Sequence, residues 1–150
     1  MSGRINIESL TMPKNSVGSD AIVASLDADK LEHLYKPGTN FALAIGGTPA
    51  SREEIVFVAT TTGVLRAFHC TLNDTGTTTD IDFDIKKNGT TMLSAVVNFV
   101  HGDADKLVKD GTLSVTAIAA DDIISIELAV TSATGAQGPF AWAEIQETAG

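Results

Sequence analysis

The stretch Thr79-Asp80-Ile81-Asp82-Phe83-Asp84-Ile85-Lys86-Lys87-Asn88-Gly89-Thr90-Thr91 decides the fold. Ile81, Phe83 and Ile85 alternate with Asp80, Asp82, Asp84 and Lys86. Successive side chains of a strand point to opposite sides, so this spacing buries one face and wets the other. A helix would spread the three aspartates around its circumference and bury at least one. The Asn88-Gly89 pair that follows supplies the two positive φ angles of a type I′ turn, which predicts a β-hairpin. In Asp122–Thr131 the pattern recurs, with Ile124, Ile126, Leu128 and Val130 alternating with Ser125, Glu127 and Ala129.

Working outward, Phe41–Gly46, Glu54–Thr60, Gly63–Leu72, Thr91–Val100, Gly111–Ala117 and Phe140–Gln146 read as further strands, for about eight in all. They are short, bounded by turn residues, and rich in Val, Ile and Thr, whose branched Cβ suits a pleated surface. No long segment of helical period separates them, so parallel βαβ units are not expected. The expected architecture is all-β: an antiparallel, jelly-roll-like β-sandwich over residues 41–150. Residues 1–40 read as an arm punctuated by Pro13, Gly18, Pro37 and Gly38, with one short helix over Asp27–Tyr35. Leu31, Leu34 and Tyr35 fall at helical spacing there. So short a helix does not hold alone in water, and its stripe must lean on the sandwich or another chain. Ile5, Ile7, Leu10 and Met12 are apolar residues in a segment too broken to fold alone, and we expect either an extended arm that contacts a neighbouring subunit or a larger surface, or an N-terminal strand packed on the chain's own sandwich.

The chain has 150 residues, 43% of them hydrophobic, and a formal net charge of −9. That length fits one domain with a real core. Most of the acid lies in the last third, where two lysines face eight carboxylates. Phosphate contacts need clustered Lys and Arg, so nucleic acid is not an expected partner. The apolar runs are too short to span a bilayer, so neither is a membrane, and the first twenty residues lack the apolar stretch of a secretory leader. Cys70 stands alone, which excludes an internal disulfide and a cysteine-rich zinc site.

The residues that could carry chemistry have bland readings. His33, His69 and His101 are scattered without ligand spacing, and His69 and Cys70, adjacent on a strand, point to opposite faces. Asp80, Asp82 and Asp84 would suit a hard cation in kind, but neighbours at i and i+2 lie about 6–7 Å apart by strand rise. The row reads as a solvated outer face, with docking to a basic partner as its other use. The pairs Asp27/Asp29, Asp103/Asp105 and Asp121/Asp122 sit in turn-like connections where aspartate caps the backbone. Gly46-Gly47-Thr48-Pro49 lacks the Gly-Lys-Ser/Thr ending of a phosphate loop. Cys70 reads as a small core residue. Trp142 alternates with Phe140 and Glu144 on one face, opposite Ala141, Ala143 and Ile145, and reads as a packing or intersubunit residue rather than a sugar platform. No catalytic residue, metal ligand or cofactor is expected, and enzyme activity is not.

Ser25-Leu26-Asp27-Ala28-Asp29-Lys30-Leu31-Glu32-His33 resembles the Asp-Ala-x-Lys-Leu-x-His segment that precedes the β domain in a group of virion structural proteins of tailed bacteriophages and related prophages. The stretch Asp82–Leu93 and the stretch Asp110–Ile126 resemble the Asp-Val-x-Lys-Asn-Gly-Thr hairpin and a later Ala-Gly-Asp-Val-Leu strand of such proteins. Asp121 stands here where glycine is usual. The likeness covers about residues 20–130. It implies a non-enzymatic virion protein made in the host cytoplasm: a capsid decoration or cement protein on the outer head surface, or alternatively a head- or tail-fibre domain that attaches to the host surface. It further implies a homotrimer whose partner is the major capsid protein. The expected subunit or capsid contacts are Ile5, Ile7, Leu10, Met12, Leu31, Leu34, Tyr35 and Trp142.

Overall fold

A computed structural model describes residues 33–148. Its strands are β1 (His33–Tyr35), β2 (Gly38–Asn40), β3 (Arg52–Val58), β4 (Gly63–Thr71), β5 (Thr78–Lys87), β6 (Thr90–Thr91), β7 (Val97–Val100), β8 (Val108–Asp110), β9 (Ala117–Ile118), β10 (Ile123–Thr134) and β11 (Phe140–Glu147). They form two antiparallel sheets packed face to face. Sheet 1 has the order β1-β11-β4-β8, with β2 also on β11 and β9 also on β4; sheet 2 has the order β3-β10-β5-β6, with β7 also on β5. The described part is all-β, a sandwich, as the alternation requires.

The core lies where the alternation places it. Ile81, Phe83 and Ile85 of β5 and Ile124, Ile126 and Leu128 of β10 are fully buried, facing Leu65, Phe68 and Cys70 of β4 and Ala141, Ala143 and Ile145 of β11. Phe83 meets Phe41 and Phe99 edge-on, at 6.2 and 5.7 Å between ring centroids. Each of the large side chains contributes about 1.5–3 kcal/mol by leaving water. Burial pushes the Cys70 thiol far above its ordinary pKa. A thiol that stays protonated is a poor nucleophile, and Cys70 acts as a small core residue.

The short helix expected over Asp27–Tyr35 is not seen. Asp27–Glu32 lie outside the described residues, and His33–Tyr35 run extended as β1, pairing with Ile145–Glu147 of β11. Pro37 disfavours a helical Lys36 before it. Its carbonyl accepts the Ala143 N–H, and Gly38 then lies so close to β11 that a Cβ would sit 2.9 Å from the Ala141 carbonyl oxygen. A sheet edge offers this segment hydrogen bonds that an isolated helical turn cannot match. Three strand expectations also shift. Phe41–Gly46 turns rather than extends, with Leu43 at φ 61°. Thr91–Val100 is interrupted between β6 and β7. Gly111–Ala117 crosses between the sheets: Gly111 donates to Phe68 of sheet 1, Ser114 to Met92 beside sheet 2, and Thr116 accepts from Leu65. A segment that closes the sandwich needs partners on both sides and cannot belong to one ladder.

The hairpin turn forms as read, with Asn88 at φ 50° and Gly89 at φ 80°. Asn88 also clamps the start of β10: its Nδ2 donates to Asp122 at 2.6 Å and its Oδ1 accepts the Ile123 N–H at 2.8 Å. Glu147, 2% exposed, accepts the N–H groups of Thr60 at 2.7 Å and Thr61 at 3.3 Å, together with the Thr60 hydroxyl. Burial alone would raise its pKa; these bonds outweigh burial and hold it below the usual carboxylate range.

Replacing Asn88 by alanine removes two hydrogen bonds and the side chain best suited to positive φ. Urea denaturation is expected to show a loss of about 1–2 kcal/mol, with N88G milder. Because the folded pKa of Glu147 is depressed, its contribution is full above the unfolded value of about 4.3 and is lost as pH falls through the folded value. E147Q is expected to cost about 1–3 kcal/mol at neutral pH and to flatten the acid limb of a melting-temperature profile against pH.

Candidate functional site

The outer face of sheet 2 is acidic. Register sets Glu53, Glu127 and Asp84 side by side across β3, β10 and β5. Three like charges in a row repel. Lys86 offsets this, reaching Glu127 at 2.8 Å and Glu53 at 3.4 Å, while Ser125 donates its hydroxyl to Glu53. The Ser125 bond, helped by Lys86, holds Glu53 below its ordinary pKa, and the bond to Glu127 raises that of Lys86. Asp84 is only 6% exposed, so the expectation of a fully solvated row is corrected there: burial pushes its pKa up, and Thr91 donates to it at 2.6 Å. Asp80 and Asp82 share the Asn98 amide, each at 2.8 Å. Among the described residues no group of three or more His, Cys, Asp or Glu is arranged to hold a metal ion.

Beside the acids lies an aliphatic corner. The register slips between Ile124 and Ser125, and the extra β3 residue lets both Val56 and Phe57 pack inward. Ile55 and Val58 are left outward, 66% and 52% exposed, next to Ile123.

The outer face of sheet 1 has a different character. Trp142 of β11 stands across from His69 of β4, which stands across from Asp110 of β8. The His69 and Trp142 rings stack at 4.9 Å, Phe140 leans on Trp142 at 5.7 Å, and the His69 Nδ1 lies 2.7 Å from Asp110. Glu144 pairs with Lys36 at 2.7 Å, and Arg66 donates to Gln146. Phe140, Val108, Ile45 and Lys106 border an open, mainly apolar groove of about 410 Å³. Leu43 and Ile45 project from the turn beside it.

Of the residues read from sequence as contacts, Leu34 and Trp142 reach this face: Leu34 is 56% exposed and pairs with Gln146. Tyr35 points the other way, its ring 5.1 Å from that of Phe57 between the sheets. Ile5, Ile7, Leu10, Met12 and Leu31 lie outside the described residues. The structure adds Phe140, Val108, Ile45 and His69. The alternation in β11 already marked Phe140; Val108 and Ile45 carried no signal, because each comes from a short or irregular segment.

No family model matches the chain, and no curated protein is detectably similar to it.

K86M is expected to leave three carboxylates unbalanced and to cost about 1–2 kcal/mol at neutral pH. Lys86 has a raised folded pKa, so its contribution persists up to alkaline pH. The deficit of K86M should narrow as pH drops through the carboxylate range and the row takes up protons, a trend that chemical denaturation at stepped pH will read.

Proposed function

We propose that this chain is a non-enzymatic structural protein of a tailed-bacteriophage virion, a capsid decoration or cement protein that assembles as a homotrimer and binds the major capsid protein on the outside of the head. The observation that carries this reading is the contrast between the two outer faces. One is aromatic and nearly neutral in charge; the other is acidic with an aliphatic corner. A protein that joins copies of itself and also sits on an unlike surface needs two faces of different chemistry. The resemblance in the Asn88-Gly89 hairpin and in the Asp110–Ile126 stretch supports the virion assignment. The strand order supports a jelly-roll connection, since β3, β4 and β5 alternate between the sheets and β10 and β11 return into the middle of each. Repeated weak contacts over a lattice add up to firm retention without any single tight site.

Heads of the parent phage lacking the protein are the test. Added protein is expected to co-sediment with them in hundreds of copies and to raise their resistance to heat or osmotic shock. Absence of binding to heads sinks the reading. A few dozen copies with an effect on host adsorption turns it to the fibre alternative.

A further inference from the structure

The aromatic outer face of sheet 1 carries an assignment of its own. On the side of the sheet away from the core, Phe140 and Val108 are exposed and Trp142 is half-buried beside Phe140, while Leu34 is exposed further along, beyond the Lys36–Glu144 pair. A contiguous apolar strip of this kind, rimmed by polar groups, marks a surface that another molecule covers. Charge decides which molecule. The chain carries −9 overall, so two copies repel at most approaches. On the outer face of sheet 2, five carboxylates (Glu53, Asp80, Asp82, Asp84, Glu127) face a single lysine among the described residues, Lys86, and a second copy is disfavoured there. On the outer face of sheet 1, among the described residues, Lys36, Arg66 and Lys106 meet only Asp110 and Glu144. A second copy can therefore approach this face without like-charge repulsion, and apolar contact can hold it.

From this we infer that the outer face of sheet 1 is an interface between copies of this chain, centred on Trp142 and Val108. The Trp142 indole stacks on His69 on the β4 side, and on the β2 side the Phe140 ring closes over Gly38, 3.2 Å from where a Cβ would sit. The groove bordered by Phe140 and Lys106 gives this face the relief that interdigitation with a neighbour needs. Aromatic residues at the centre of an interface carry a large share of its binding energy. This inference deepens the reading above by locating the contact between copies, and it stands or falls apart from the capsid assignment: an assembled protein that fails to bind heads refutes only the latter.

Sedimentation velocity on the full chain tests it. The wild type is expected to run at a multiple of its 15.6 kDa mass, and both Val108→Asp and Trp142→Ser to run as single chains. Circular dichroism spectra unchanged from the wild type show that the variants fold. Ile55→Asp, an equal insult on sheet 2, is expected to leave the assembly intact. Trp142 is the sole tryptophan, so its fluorescence reports the same surface: it should resist acrylamide in the wild type and become quenchable in Val108→Asp. High salt should leave the assembly in place, because the contact is apolar. A wild type of single-chain mass overturns the inference. So does an assembly that survives both sheet 1 variants, or one that Ile55→Asp or salt takes apart.

Discussion

The apolar side of β5 is the constraint on which the molecule depends. Ile81, Phe83 and Ile85 are wholly removed from water, and the strand is held between β10 on one side and β6 and β7 on the other. Because side chains alternate, fixing these three inward fixes Asp80, Asp82, Asp84 and Lys86 outward. A slip of one residue would put three carboxylates into a dry core, at a cost no local contact could offset. The register is therefore set by the penalty for the alternative as much as by the gain from burial.

The same alternation then obliges the outer face of sheet 2 to satisfy its charges within itself. Lys86, Ser125, Thr91 and Asn98 each bind one or two of the acids, so this face is an ordered polar network rather than a loose acidic surface. The outer face of sheet 1 follows another logic. There β11 gives its small residues, Ala141 and Ala143, to the core and turns Phe140 and Trp142 outward. Large aromatics outside and alanines inside invert the usual arrangement of a half-buried strand. In folding terms that inversion is unfavourable for an isolated chain.

Edges are handled with equal economy. Strand β3 is the edge of its sheet among the described residues, and its inward positions Arg52 and Glu54 form an ion pair, with the Thr39 hydroxyl donating to Glu54. Inward charges on an edge strand discourage the addition of a further strand.

The sequence by itself determined the strands that alternate cleanly, β5 and β10, the Asn88-Gly89 turn between β5 and β6, and the division of β11 into a small buried side and a large outward one. These are local properties: period two and positive φ are written in neighbouring residues. Only tertiary structure decided that His33–Tyr35 extends along β11, that Gly111–Ala117 crosses between sheets, that Tyr35 turns inward while Leu34 turns out, and that Val108 and Ile45 join Trp142 on one surface. Those outcomes depend on hydrogen bonds and register between segments up to about a hundred residues apart in the chain, where the energy of pairing outweighs the weak preference of any short stretch.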